Sequence, residues 1–202
     1  MAQYIRCGRN KNIVMKLNAV GLIHKVLEAA VPNGGFCIDA TAGKGRDTAF
    51  LCKIVGEDGR VLAFDIQQEA VFQTKEHLAA QGLQERAEVV LDSHEHMEQY
   101  AAPESVDGIV FNFGWLPGGD HRIFTRPDSS IRAIAAGLRI LKPGGIMALC
   151  IYAGKDTGFE ERDRLLEFLE TVDDKKYTVI SAGFCNRPNH PPLPVFLVKH
   201  KE

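Results

Sequence analysis

No stretch of this chain approaches the ~20 consecutive apolar residues needed to span a bilayer, and its N-terminus lacks the apolar core of a signal peptide. C-x-x-C pairs are missing too. The five cysteines, Cys7, Cys37, Cys52, Cys150 and Cys185, are odd in number and scattered, which suggests neither a disulfide framework nor a zinc site. Cys37 and Cys150 lie inside strand-like runs, where a thiol acts as a small core residue. A reduced, cytoplasmic setting is therefore expected. Excess charge of one sign is also lacking. Lys+Arg 24 against Asp+Glu 26 gives a net charge of −2 and a pI near 6.4, which disfavours general polyanion binding but allows a local basic patch. His94 and His96 have no Cys or acid partners at ligand spacing, so no metal site is expected and both read as solvent-side residues. What is present is ordinary: 202 residues, 45% hydrophobic and 25% charged, which fits one globular domain over residues 1–202.

The chain is organised around Phe36-Cys-Ile-Asp-Ala-Thr-Ala-Gly-Lys-Gly-Arg-Asp-Thr48. A short apolar run stops at a carboxylate and a glycine pair, and helical spacing follows from Asp47 and Thr48, so strand, turn and helix N-terminus meet here. Three ligand classes use such a turn. A phosphate-cradling loop needs G-x-x-x-x-G-K-[ST], whereas Lys44 lies between Gly43 and Gly45. A dinucleotide fingerprint needs a third glycine where Thr48 stands, and Thr48 would hinder close helix–strand packing. The remaining class places an acid, Asp39, before the glycines. A carboxylate there repels a pyrophosphate and suits an ammonium. S-adenosylmethionine carries an ammonium and a carboxylate at one end, matching Asp39 and the helix N-terminus.

Asp39 has two counterparts downstream. Arg60–Phe64 reads as a second strand ending at Asp65, where nucleotide-binding α/β folds hold ribose hydroxyls, with Ile66 and Gln67 opening the next helix. Ala87–Leu91 reads as a third strand closed by Asp92-Ser93-His94, with Asp92 placed to accept from adenine N6 and the Ser93 N–H to donate to the ring. The three acids recur about 26 residues apart, at the same point of each strand. A fourth strand, Val106–Phe111, runs into Asn112-Phe-Gly-Trp-Leu-Pro-Gly-Gly-Asp-His121. In that loop the Asn112 side-chain oxygen and the Phe113 carbonyl can accept from an amine, Trp115 can stack on an attached ring, and Asp120 can orient a substrate. Arg122, Arg126, Arg132 and Lys142 add positive charge that hints at a phosphate-bearing substrate.

Around these motifs, residues 1–17 form a basic arm and residues 18–31 an amphipathic helix, with His24 a core-edge histidine beside its apolar stripe. Asp128 is expected to cap a helix reaching Leu141, and Lys142–Gly145 to form a tight turn into a strand over 146–152. Another helix follows Gly158, and 177–180 with 195–198 form a closing antiparallel pair joined by a proline-rich link, 186–192. Alternating strands and helices give a doubly wound α/β sheet with its ligand crevice at the carboxyl ends of the strands.

Asp39-Ala-Thr41-Ala-Gly43-Lys44-Gly45, Asp65, Asp92-Ser93 and Leu141-Lys-Pro-Gly-Gly145 resemble the motifs of class I S-adenosylmethionine-dependent methyltransferases. With Asp47-Thr48, Phe64-Asp-Ile66-Gln67, Asp92-Ser-His94, the Asn112–Asp120 loop and Asn189-x-Pro-Pro192, the chain resembles more narrowly the bacterial family labelled rRNA methylases, from about residue 18 onward. That resemblance implies a Rossmann-like, mostly parallel seven-stranded sheet with an antiparallel C-terminal strand. It implies cofactor contacts from Asp39, Thr41, Gly43, Lys44, Gly45, Asp47, Thr48, Asp65, Ile66, Gln67, Asp92, Ser93, His94 and Asn112, and catalytic roles for Asn112, Phe113, Trp115 and Asp120. It further implies methylation of the amine of 5-aminomethyl-2-thiouridine at the tRNA wobble position, with the tRNA anticodon region as partner and a homodimer left open. Two residues depart from the family pattern: Lys44 stands where Asn is usual, and Trp115 where Tyr is usual. A small-molecule or protein amine methyltransferase, an rRNA methyltransferase and a non-catalytic adenosine-ligand binder remain the alternatives.

Overall fold

The computed structural model describes residues 17–113, 127–152 and 158–201. The first helix, α1 (Ala19–Ala30), starts where the Asn18 side chain accepts from the Gly21 N–H at 2.7 Å, a side-chain cap that satisfies one of the open amides of the first turn. It buries Ala19, Ile23 and Leu27, the i, i+4, i+8 stripe expected of an amphipathic helix. Then β1 (Phe36–Asp39), α2 (Arg46–Val55), β2 (Arg60–Asp65), α3 (Gln68–Ala80), β3 (Ala87–Leu91), β4 (Val106–Phe113), α4 (Pro127–Ile140), β5 (Leu141–Ile151), α5 (Gly158–Glu170), β6 (Tyr177–Ser181) and β7 (Leu193–Lys199) follow.

The strands form one seven-stranded sheet in the order β3-β2-β1-β4-β5-β7-β6. The β1–β5 pairs are parallel, while β7 runs antiparallel to both β5 and β6. Strand order reverses at β1, where the chain crosses to β4 on the other side, and ligands of open α/β sheets bind outside the strand ends at such a point. This is the fold of class I methyltransferases expected above.

Strand alternation sorts side chains onto two cores. Ile38, Leu62, Phe64, Ile109, Phe111, Met147 and Leu149 join α4 and α5 on one face. Cys37, Val61, Ala63, Val110, Ala148 and Cys150 join α1 and α2 on the other. The end of α1 lies so close to the sheet that a Cβ on Gly108 would come 2.8 Å from a methyl of Val31, the residue that follows the helix. By the same alternation Asn112, two residues beyond Val110, points to the α1/α2 face. The cysteine expectation holds in the core: burial pushes Cys37 and Cys150 up to about 12 and Cys52 to about 11, far from a reactive thiolate.

Two local expectations are corrected. Asp128 does not cap α4, which begins at Pro127 and ends at Ile140. A proline fits a first helical position because its missing N–H would be unpaired there anyway, and Asp128 instead accepts from Arg164 Nη2 at 2.9 Å. The tight turn of Lys142–Gly145 lies inside β5 rather than before it: pairing to β4 steps from Val106↔Leu141 to Gly108↔Ile146, so four residues stand opposite Asp107, and Gly144 takes a φ of 80°. Lys142 Nζ holds both oxygens of Asp107 at 2.8 Å there, at the start of β4 and opposite the expected substrate end. Arg132, also expected near that end, is paired with Glu95 at 2.5 Å. Arg122 and Arg126 lie outside the described residues.

Candidate functional site

The turn after β1 is fixed by bonds to both neighbouring strands. Ala40 N–H donates to Val110 O and Ala42 N–H to Phe64 O, each at 2.9 Å. Gly43 N–H donates to Asp65 Oδ2 at 2.9 Å, and Asn112 N–H to Thr41 Oγ1 at 2.8 Å. Gly43 and Gly45 take φ of 55° and 74°, in the left-handed region that favours glycine. At Gly45 space is limiting too: a Cβ would stand 3.0 Å from Thr74 Cα. α3 therefore rests directly on the turn, and Thr74 Oγ1 donates to Gly43 O at 3.2 Å. Lys44 is exposed at the apex.

Asp39 differs from its expected part. It is fully buried and offers no surface to an ammonium. Thr48 Oγ1 donates to its Oδ2 at 2.6 Å and Thr41 N–H to its Oδ1 at 3.1 Å. Burial pushes its carboxyl up to about 7, the charge of Asp47 adds to this, and the Thr48 and Thr41 donors oppose it. The absent third glycine thus has a positive reason, because Thr48 supplies the hydroxyl that satisfies a buried acid. Asp39 acts on the site by setting Thr41, which in turn anchors Asn112.

Asp65 accepts from the amides of Gly43 and Gln67, one on each oxygen, both at 2.9 Å. A carboxylate has about four acceptor positions, so two remain for hydroxyls. Ile66 beside it is 59% exposed, an open apolar side chain at the strand ends, and Gln67 stands at the N-terminus of α3. At the end of β3, Asp92 is more committed than expected. It accepts from His96 at 2.8 Å, Tyr100 at 2.9 Å and the Ser93 N–H at 2.7 Å, so the Ser93 amide proposed for adenine is spent on Asp92. Those donors, His96 first, hold the Asp92 carboxyl below its ordinary range. His94, expected on the solvent side, instead turns inward. Its Nδ1–H donates to Ala40 O at 3.0 Å and its ring meets Phe111 and Phe113 edge-on, while burial lowers its pKa. His96 is exposed, as expected.

On the α1/α2 face, Asn112 Nδ2 donates to Asp47 Oδ2 at 2.6 Å, and His24 Nε2 lies 2.5 Å from Asp47 Oδ1. A carboxylate only accepts. The Asn112 nitrogen must therefore face Asp47, which leaves its side-chain oxygen turned the other way. The Phe113 ring is buried against Phe111, and its carbonyl accepts the Tyr152 N–H at 3.3 Å, a long bond that leaves a second lone pair. Tyr152 was not singled out in the sequence; it lies at the strand end beside Asn112, with a hydroxyl whose pKa burial raises. Trp115 and Asp120 lie outside the described residues. Among the described residues no cluster of three or more His, Cys, Asp or Glu side chains can hold a metal, and no helix is long and apolar enough to cross a membrane.

Acceptors thus stand at adjacent strand ends around a backbone turn at a helix N-terminus, a set suited to hydroxyl, amine and sulfonium groups. The comparisons agree. The family model described as "Putative rRNA methylase" matches residues 61–198. The chloroplastic tRNA (mnm5s2U34)-methyltransferase of Arabidopsis thaliana is 36% identical over 193 residues, 91% of this chain and 70% of that one. The solved "putative rRNA-methylase" of Clostridium thermocellum is 42% identical with a TM-score of 0.89, covering 92% of this chain and 100% of that one. A "putative methyltransferase" of Streptococcus mutans, solved in complex with SAH, is 31% identical with a TM-score of 0.82, covering 92% and 99%. Sequence and fold together place this chain in the "Putative rRNA methylase" family, as a Rossmann-like S-adenosylmethionine-dependent methyltransferase.

Proposed function

We propose that the enzyme methylates the primary amine of 5-aminomethyl-2-thiouridine at the wobble position of tRNA. The observation that carries this reading is the Asn112 amide, clamped through its nitrogen to Asp47 at 2.6 Å so that its oxygen is the end offered to a substrate. A fixed acceptor at the end of β4 suits a neutral amine, whose N–H groups it receives while the lone pair points away. The Arabidopsis relative carries the methylaminomethyl product, mnm5s2U at position 34 of tRNA, in its name, which supports the same choice here.

Asp65 would hold the ribose hydroxyls with its two remaining acceptor positions, and Ile66 and Gln67 would border the adenine. The Asp92–Ser93–His94 segment borders the adenine edge. Thr41, Gly43, Lys44, Gly45 and Asp47 would frame the methionine end, with the buried Asp39–Thr48 pair acting from beneath. When bound, S-adenosylmethionine supplies a methyl group on sulfonium for in-line attack by the amine, giving the thioether product and a secondary ammonium that loses its proton to water. Asn112 would orient the nucleophile with the Phe113 carbonyl, and roles for Trp115 and Asp120 rest on the family resemblance alone. Proximity and alignment carry the rate, and no covalent enzyme intermediate is required. This fits the three buried, high-pKa thiols.

A hollow of about 450 Å³ beside the end of β5 favours RNA over a small amine. Arg187 stacks 4.0 Å over Phe184, Arg162 lies 5.1 Å over Phe159, and His190 meets Phe159 edge-on. Cation–aromatic surfaces of this kind bind unpaired bases and phosphates. The deciding experiment is methyl transfer from labelled S-adenosylmethionine to tRNA from cells lacking this enzyme, read by nucleoside mass spectrometry, with rRNA, protein extract and small metabolites in parallel. Conversion of the aminomethyl nucleoside to its methylaminomethyl form is expected. Label appearing only in rRNA, protein or a metabolite would refute the tRNA reading.

A further inference from the structure

His24 has no part in the reaction as read so far, although its placement is unusually constrained for a helix-surface residue. It comes from α1, an element outside the motif I segment. Its ring lies flat on Phe50, with centroids 3.8 Å apart and planes 4° apart. Phe50 is on α2, three residues after Asp47, so the surface that fixes the imidazole belongs to the same helix turn as its partner. Nε2 then reaches Asp47 Oδ1 at 2.5 Å while Asp47 Oδ2 receives Asn112 Nδ2 at 2.6 Å. Side-chain exposures of 27% for His24 and 14% for Asp47 set this contact apart from solvent-facing ion pairs, which hold no fixed geometry.

The chemistry of the chain of contacts runs one way. Asp47 accepts at both oxygens, so His24 must donate from Nε2 and Asn112 from its nitrogen. An asparagine amide alone presents oxygen or nitrogen with nearly the same shape, and only its partners decide which end points where. A nitrogen aimed at the substrate would donate to the amine lone pair and block its attack. An oxygen accepts the amine hydrogens and leaves the lone pair available. Asp47 forces the productive choice only while its own carboxyl is held still, and the group that holds the second oxygen is His24.

We propose that His24 is a positioning residue for methyl transfer: by holding Asp47, it keeps the Asn112 amide oriented with its oxygen toward the substrate amine. This rests on the reading that Asn112 receives that amine. α1 thereby becomes part of the acceptor site, although it contributes no residue to motif I or to the Asn112 loop.

The test compares His24→Leu, which removes the donor, with His24→Gln, which keeps an N–H at similar reach, in the full chain. Single-turnover methylation of undermodified tRNA and S-adenosylmethionine affinity are measured together. His24→Leu is expected to lower the single-turnover rate about 10- to 100-fold, the scale of a small misplacement at a reacting centre, with cofactor affinity within about twofold, and His24→Gln to recover most of the rate. A second readout needs no turnover. The Asn112 side-chain NH2 signals in the NMR spectrum, assigned by their loss in Asn112→Asp, should show one proton shifted and slowed in exchange in wild type and His24→Gln but not in His24→Leu. An unchanged rate in His24→Leu overturns the proposal, as does a rate loss matched by lost cofactor affinity or an Asn112 signal indifferent to His24. If wild type fails to methylate the tRNA amine at all, the functional reading falls on that arm, and the NMR arm still decides whether His24 fixes the amide.

Discussion

The two halves of the sheet present their polar groups differently at the strand ends. From β1 toward β3, polar groups are tied to one another inside the chain: Asp39 to Thr41 and Thr48, Asp65 to Gly43 and Gln67, Asp92 to Ser93, His96 and Tyr100. Beyond β5 Arg162, held by Asp163, and Arg187, held by the Leu17 carbonyl, lie with His190 against aromatic rings at the edge of a broad hollow. The first arrangement is rigid and preorganised, suited to one small ligand with a fixed shape. The second is open and adaptable, suited to a flexible polyanion whose contacts weaken with salt. Asn112 and Asp47 stand at the seam. A methyltransferase working on a large substrate needs this contrast, because only the reacting atoms must be held with the precision that rate demands.

Breaking the seam should have the largest effect. Asn112→Ala is expected to reduce the single-turnover rate about 100-fold or more, while calorimetry shows S-adenosylmethionine affinity within a few-fold of wild type; equal losses in both would place Asn112 on the cofactor side. Next comes the rigid side. Asp65→Ala removes the acceptor of two backbone amides and of the proposed ribose hydroxyls, and should raise the cofactor dissociation constant about 10- to 100-fold, the value of a hydrogen bond to a charged group. Gly45→Ala forces a Cβ toward Thr74 in a left-handed backbone and should cost about 1–3 kcal/mol in urea unfolding.

The open side should respond more mildly. Arg187→Ala is expected to weaken RNA binding about 3- to 10-fold and to flatten its salt dependence, since one phosphate contact is removed, with cofactor affinity unchanged. The smallest effect is a pH slope. The Asp39 carboxyl sits at about 7 in the fold against 3.8 in the open chain, so between these values the folded state holds a proton that the unfolded state has released. Its contribution to stability therefore falls as pH rises from about 4 to 7 and is level outside that window. Thermal melts of wild type and Asp39→Asn should converge, or cross, as pH rises from 5 to 7.5. Parallel curves would mean Asp39 is already ionised in the fold.

The three acids were legible because strand ends repeat: in a doubly wound sheet each β-α unit has nearly the same length, so equivalent positions recur in the sequence. Contacts across units leave no such mark. His24 and Asp47 are 23 residues apart, Asn112 and Asp47 are 65 apart, and no local pattern announces either meeting. Asn112 could have been assigned to the α1/α2 face by alternation, had the fourth strand been extended two residues past Phe111 to its observed end at Phe113. Thr48 read as an obstacle to packing because its partner, Asp39, read as a ligand contact; burial reverses both roles. That the turn of Lys142–Gly145 falls inside β5 was hidden for a related reason: its glycines are visible in sequence, whereas the Val106↔Leu141 and Lys142–Asp107 contacts join positions 35 residues apart.

The position of β7 between β5 and β6 imposes an order on assembly. During synthesis β6 leaves the ribosome before β7, yet among the described residues its partner strand is β7. Until β7 arrives, β6 and the exposed edge of β5 are two unpaired strand edges, which are sites for wrong pairing. Insertion of one late strand closes both at once. The half of the sheet that holds the glycine turn has its strands, β1 to β5, in place before that event, so a nascent chain can build the proposed cofactor side while the proposed RNA side is still waiting for its final strand.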